Sequence, residues 1–332
     1  MVGIDFSFCR DIITRLVLFL QLLFAKTAAA RYTEAIDFCT KDGTAMNQET
    51  KRVAAIHDLS GVGRCSLTVI SPILSAMGVQ CCPVPTAILS THTGGFGEVA
   101  FQDLTDFLPQ ALNHYRSLGL DFSCIYSGFL GSEAQIDHCL AFFKAYPNAL
   151  AVVDPVMGDH GKAYRTVTPE MRRRMIELVS IADVITPNLT EAAILLGEQY
   201  DNMPLTRSQA KSMLARLSEK GPGKIVITGV SLAEGIMANI GYDRENNYYW
   251  CVPCDYVPVS YPGTGDIFAA VLTGGFLTGD SLPIAMARAS HFVEQAIKTT
   301  FSYGTDTRLG VMLEAVMPDL MEPSVPQNYH LL

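Results

Sequence analysis

The chain has 332 residues, a net charge of −9 and no long basic run, which argues against nucleic acid as a partner. Apolar residues make up 49% and charged residues 17%, the balance of a globular chain with a substantial core, enough for one large α/β domain or two small ones. The nine cysteines follow neither a zinc spacing nor a disulfide framework: Cys81 and Cys82 are adjacent, and Cys251 and Cys254 form a lone C-x-x-C. They read as reduced thiols.

Residues 1–45 do not match the rest. Ile12 to Ala25 is nearly all apolar, too short for a comfortable membrane span, with Arg10 and Arg15 ahead of it and Thr27-Ala28-Ala29-Ala30 behind. That pattern resembles a signal peptide, although a start at Met46 is the favoured expectation. From Val53 onward, short apolar runs alternate with helical patterns. Strands are expected at Val53–Ile56, Val79–Val84, Cys124–Tyr126, Leu150–Val153, Val184–Ile185 and Lys224–Thr228. Helices are expected between them, near Ser66–Met77, Asp103–Leu118, Glu133–Ala145, from Thr168-Pro169, through Glu191–Leu196, and over Ser208–Lys220. Gly235–Ile240 and Tyr248–Val252 pair as a hairpin, and helices near Asp266–Leu277 and Leu282–Thr299 follow. This alternation predicts one doubly wound α/β domain with a mostly parallel central sheet, whose ligands sit at the carboxyl ends of the strands.

The polar residues after the strands therefore carry the functional reading. His57-Asp58-Leu59-Ser60-Gly61-Val62-Gly63 follows the first strand; its G-x-G lacks the third glycine of a dinucleotide fingerprint. Thr91-His92-Thr93-Gly94-Gly95 is a polar, glycine-rich loop. Asp154-Pro155-Val156-Met157-Gly158-Asp159 places two carboxylates beside a strand end, suited to magnesium or to phosphate counter-charge. Asn188 and Glu191 in Thr186-Pro187-Asn188-Leu189-Thr190-Glu191 form either a capping box, a magnesium-ordering pair, or both. The most telling stretch is Pro262-Gly263-Thr264-Gly265-Asp266, a glycine-rich turn running into an apolar helix. Glycines and a helix N-terminus suit an anion. A carboxylate there repels phosphate, yet makes sense as a base that deprotonates an attacking alcohol.

The order D-P-V-M-G-D, T-P-N-x-x-E, V-I-T-G and G-T-G-D resembles the ribokinase-like superfamily, and within it the pyridoxal/pyridoxamine kinase family, over roughly Val53 to Thr300. The resemblance implies a three-layer α/β/α fold with no separate lid domain. It implies a kinase domain over 46–320, a tail over 321–332, and ATP-dependent phosphorylation of the 5′-hydroxymethyl group of pyridoxal, pyridoxine or pyridoxamine. Asp266 then inherits the role of catalytic base, and Gly263, Thr264 and Gly265 form the anion hole. Asp154, Asp159, Tyr164, Thr186, Asn188, Glu191 and Thr228 match positions near the nucleotide and its Mg²⁺, with Asp154 and Glu191 nearest the metal. A monovalent cation such as K⁺, a cytoplasmic location and a homodimer are further implications of the family.

On the substrate side, His92 and Thr93 match an S-N-H-T element, although residue 91 is Thr rather than Asn. Phe129 stands where a Tyr often packs on the pyridine ring. Asp58 replaces a Ser that contacts ring substituents; its carboxylate could accept a bond from a ring hydroxyl or protonated ring nitrogen, or shift preference toward pyridoxamine. The nearest alternative is hydroxymethylpyrimidine (phosphate) kinase of thiamine synthesis. That family usually has Cys where this chain has Asp266 and lacks the Gly-Asp after D-P-V-M, although its first loop carries an Asp near the position of Asp58.

Overall fold

A computed structural model describes residues 50–233, 235–321 and 327–332. The apolar stretch near the N-terminus and the whole extension 1–45 lie outside the described residues. Residues 50–332 form one compact unit.

Its centre is β1 (Arg52–Val62), whose Val53–Ile56 stretch is fully buried. Parallel strands on both sides explain why the run is continuously apolar instead of alternating. β1 pairs in parallel with β2 (Gln80–Thr91) on one side and β4 (Cys124–Ser127) on the other. From β4 the sheet continues in parallel through β5 (Leu150–Val153), β8 (Val184–Ile185) and β9 (Lys224–Leu232). Antiparallel strands finish both edges: β3 (Phe101–Asp103) beside β2, and β10 (Ile236–Asp243), β11 (Tyr248–Cys254) and β12 (His330–Leu331) beyond β9. A separate two-stranded ribbon, β6 (Gly158–Asp159) with β7 (Lys162–Ala163), follows β5.

Helices cover both faces. On one lie α1 (Leu67–Ala76), α7 (Thr264–Thr278) and α8 (Leu282–Tyr303). The other carries α2 (Phe107–Ser117), α3 (Glu133–Ala145), α4 (Pro169–Ile181), α5 (Leu189–Leu196) and α6 (Arg207–Ser218). Side chains alternate between the two cores: Ala54 and Ile56 join the second set of helices, Val53 and Ala55 the first. The result is the three-layer, doubly wound, mostly parallel fold expected, without a lid domain.

The largest differences from the sequence reading lie in β1, β2 and β3. β1 runs on to Val62 through the polar stretch expected to follow the strand, because after an irregularity at His57–Leu59 it pairs again, Leu59 with Ile88 and Val62 with Thr91. β2 lengthens to match. Phe101–Asp103, partly expected as a helix start, pairs with Ala87–Leu89 as β3, and α2 begins only at Phe107.

From β1 the chain steps to β2 on one side and later returns to β4 on the other. This reversal opens a crevice at the carboxyl ends of β1 and β4. The register aligns what lines it. Ile56 faces Ser127, Ser127 faces Val153, and Val153 faces Ile185. The next residue along each strand is His57, Gly128, Asp154 and Thr186.

Candidate active site

α7 starts at the mouth of this crevice. Its N-cap, Gly263, has φ 82°, the left-handed region that suits glycine, and a Cβ there would lie 2.2 Å from the Arg64 carbonyl oxygen. Gly265 has nothing within 4 Å of where a Cβ would sit, which leaves open space above the helix N-terminus. The Thr264 hydroxyl donates to the Tyr261 carbonyl at 3.2 Å and pins the turn. The first-turn N–H groups have no intrahelical acceptor, so they present an anion-binding end.

Asp266 is the third residue of α7. Its Oδ2 accepts the Ser66 N–H at 2.7 Å, and its Oδ1 lies 3.2 Å from His57 Nε2. Ser66 belongs to a strained loop after β1, with Arg64 at φ 46° and Ser66 at φ 57°. Such residues cost on the order of 1–3 kcal/mol each and persist only where the surroundings hold them. Here Arg64 pairs with Glu314 and donates to the Leu309 carbonyl, while Asp266 holds Ser66.

His57 is 2% exposed. Its Nδ1 sits 2.9 Å from Asp58 Oδ1, and the Asp58 N–H also approaches Nδ1 at 3.0 Å. Asp58 Oδ2 accepts from the Ser60 hydroxyl at 2.7 Å. Asp58 is buried and both its oxygens have protein partners. Burial pushes the imidazole down, but the Asp266 charge, followed by contact with Asp266 and Asp58, outweighs it and raises His57 to about 10. Burial pushes the Asp58 carboxyl up, and the bond and charge of His57 turn it below its usual value.

Asp154 is buried at the end of β5. Burial, then the Asp266 charge, raises it to about 7. Glu191 is raised well above the carboxylate range by burial and then by the Asp154 charge. Its oxygens accept N–H groups of Met157 at 3.0 Å and Asn188 at 2.9 Å, while Asn188 Oδ1 accepts the Glu191 N–H at 3.0 Å. The capping box of α5 is therefore real. Asn188 Nδ2 adds a bond to the Gly158 carbonyl at 2.8 Å, which ties α5 to the ribbon.

Thr186 is buried toward Asp154; its hydroxyl offsets part of the carboxylate's cost yet has no well-formed hydrogen bond. Thr228 is half-buried and bridges to Asn188. Asp159 is half-exposed on β6 and accepts the His160 N–H, and Tyr164 is exposed just beyond β7. On the substrate side, Phe129 is half-buried after β4, and its carbonyl accepts the Thr86 hydroxyl. Thr93 is exposed in the loop after β2. Beside it, His92 has both ring nitrogens engaged: Nε2 lies 2.7 Å from the Arg308 carbonyl and Nδ1 accepts the Gly94 N–H at 3.0 Å.

Sequence reasoning missed His57, Tyr126 and Ser127. Tyr126 OH, Ser127 Oγ, Thr186 Oγ1 and His57 Nε2 are four of the eight buried polar atoms without a hydrogen bond among the described residues. All four lie at the carboxyl ends of β1, β4 and β8, placed to be satisfied by a bound ligand. For His57 a signal was present: a polar residue after four buried apolar ones on a central strand.

Among the described residues no group of three or more His, Cys, Asp or Glu stands ready-made around a metal. Asp154 and Glu191 nonetheless suit a magnesium ion. Both are hard oxygen donors raised by burial, Asp154 further by the Asp266 charge and Glu191 by that of Asp154, a burden a cation relieves. With two carboxylates, water completes the shell.

The family model described as phosphomethylpyrimidine kinase matches residues 73–310. The chain belongs to this family. Among family relatives of known structure is a candidate phosphomethylpyrimidine kinase from Bacteroides thetaiotaomicron, solved with pyridoxal. It is 45% identical, with a TM-score of 0.82, covering 86% of this chain and 100% of that one. The pyridoxal kinase of Lactobacillus plantarum is 33% identical, with a TM-score of 0.76, over 82% of this chain and 97% of that one. A curated pyridoxal kinase of Rubrobacter xylanophilus is 29% identical over 268 residues, 76% of this chain and 87% of the relative. In the described residues no helix is long and apolar enough to cross a membrane.

Proposed function

We propose that this protein is an ATP-dependent kinase that phosphorylates the 5′-hydroxymethyl group of a B6 vitamer. One observation carries the reading: Asp266 stands in the first turn of α7, beside the open N-terminus that Gly263 and Gly265 create, at the end of the central strands. The γ-phosphate meets the first-turn N–H groups of α7, whose donors face the charge that grows on the transferring group. Asp266 takes the hydroxyl proton as that oxygen forms its bond to phosphorus and the bond to the ADP leaving group breaks. A magnesium ion held by Asp154 and Glu191, partly through water, would neutralise the phosphates. Asn188, Thr186 and Thr228 line the nucleotide side, with Tyr164 and Asp159 at its rim. Phe129 offers a face to the pyridine ring, and Thr93 a hydroxyl to its substituents.

The family description favours a second reading, hydroxymethylpyrimidine or its phosphate as substrate. Asp rather than Cys at 266, and pyridoxal bound to the 45% identical relative, support the vitamer. Turnover of pyridoxal, pyridoxine, pyridoxamine and hydroxymethylpyrimidine, measured side by side with MgATP, decides between them. The vitamers are expected to lead by at least about tenfold in kcat/KM; hydroxymethylpyrimidine leading reverses the reading.

Use of ATP leads us to place the enzyme in the cytoplasm. We also infer a homodimer, in keeping with exposed Ile88, Phe101 and Phe107 around β2, β3 and α2. Light scattering on the eluting protein should give twice the chain mass.

A further inference from the structure

We propose that His57, clamped by Asp58, is the positioning residue of the catalytic carboxylate, holding Asp266 through a donated Nε2–H. This rests on the reading of Asp266 as the base.

Three features of the geometry converge. His57 bridges two carboxylates, with Nδ1 2.9 Å from Asp58 Oδ1 and Nε2 3.2 Å from Asp266 Oδ1. Asp58 is itself fixed by the Ser60 hydroxyl at 2.7 Å, so the clamp has a rigid far end. The backbone makes room for the ring: a Cβ on Gly128 would lie 2.0 Å from His57 Cδ2 and 2.3 Å from Nε2. Nothing larger than glycine fits the strand beside the imidazole.

Nε2 has no well-formed hydrogen bond in the chain alone, although it faces Asp266 across an ion-pair distance. A contact of this kind tightens when substrate closes the site. Asp266 is then held from two sides, by Ser66 N–H on Oδ2 and by His57 on Oδ1. A carboxylate gripped at both oxygens cannot swing from the substrate hydroxyl, and near-attack geometry is what a base contributes.

His57 also brings a positive charge into a nest of negative ones. Asp58, Asp266, Asp154 and the Tyr126 ring all face it, and its charge lowers the cost of Asp154. Asp266 opposite Nε2 favours a proton on that nitrogen, the one the clamp uses. The proton that leaves the substrate hydroxyl passes to Asp266; His57 keeps its own throughout.

This assigns Asp58 to His57 rather than to the vitamer. Asp58→Asn should lower kcat for pyridoxal and pyridoxamine in the same proportion, because the residue acts through the base and not on the ring substituent. A change confined to one vitamer would assign Asp58 to the substrate instead.

The direct test pairs kinetics with the ring's own signals. His57→Gln keeps a polar side chain of similar reach but removes the fixed imidazole. Its kcat is expected to fall by at least about tenfold, with KM for ATP and vitamer within about threefold. His57→Ala should recover part of its rate with added imidazole, whereas Asp266→Asn should not. A role in packing alone gives neither the kcat-specific loss nor the recovery. A His57→Gln kcat within about twofold of wild type overturns the proposal.

In the 15N-histidine-labelled full chain, with His57 assigned by its loss in His57→Gln, Nε2 is expected to carry a proton at neutral pH. A bare Nε2 overturns the proposal whatever the rates. Wild-type protein that phosphorylates no vitamer would refute the function proposed above, while the ring signals still judge the clamp.

Discussion

Asp266, His57 and Gly128 depend on one another in a way their places in the sequence conceal. A methyl group on Gly128 meets the imidazole at 2.0 Å, so Gly128→Ala must displace His57 or the strand. It is expected to lower kcat by about as much as His57→Gln, and in the double variant the two losses should not add. Fully additive losses would show that Gly128 and His57 act separately. Asp266 was legible because a carboxylate in an anion-binding turn has no structural excuse. His57 was less so: a polar residue after four buried apolar ones hints at a site, but its partner Asp266 is distant in sequence. Asp58 is instructive in the opposite sense. The sequence points its charge at the substrate, and the fold turns it onto the neighbouring ring, with Ser60 on its other oxygen. His92 likewise has both nitrogens tied to backbone groups, of Arg308 and Gly94.

The elements that carry the site are held by local chemistry. α4 begins at Thr168, whose side chain accepts the Met171 N–H at 3.0 Å, with Pro169 following. Thr168→Ala should cost about 1 kcal/mol in urea unfolding and leave kcat alone. The start of α5 is more heavily charged, because its capping Glu191 lies within the field of Asp154. Asp154 is raised to about 7 from 3.8, so its contribution to stability is full while it stays protonated, below about pH 4. That contribution fades as pH climbs through about 7 and the buried pair ionises; Glu191 shifts in the same direction. The metal-free protein should therefore lose Tm between pH 5.5 and 8, and Mg²⁺ should restore more of it at pH 8 than at 5.5. In Asp154→Asn both effects should shrink. A Tm indifferent to Mg²⁺ at pH 8 would remove the metal from this place. Sequence alone left Asn188 and Glu191 open between cap and metal pair, since both use the same residues at the same spacing. Geometry shows the cap, and the raised carboxyl is what supports the metal.

Across the whole molecule, the parallel strands were legible because burial on both faces writes a run of four apolar residues into β1 and β5. Extents were less so. β1 and β2 continue past His57 as a mixed polar and apolar pair, with no run of apolar residues to mark the extent of β1. β3 and β12 are too short to leave a pattern, and β12 brings residues near the C-terminus back to β11. Strand order decides what these elements do together. The step from β1 to β2 and back to β4 makes the crevice, and the register sets His57, Gly128, Asp154 and Thr186 in one row along it. Against that row α7 brings Asp266 from the far end of the chain. The central claim is that this carboxylate is the base of a vitamin B6 kinase. The most direct measurement is kcat of Asp266→Asn with MgATP and pyridoxal, alongside its affinity for ADP. A fall of at least about 10²-fold with ADP binding nearly unchanged is predicted. Turnover close to wild type would contradict it.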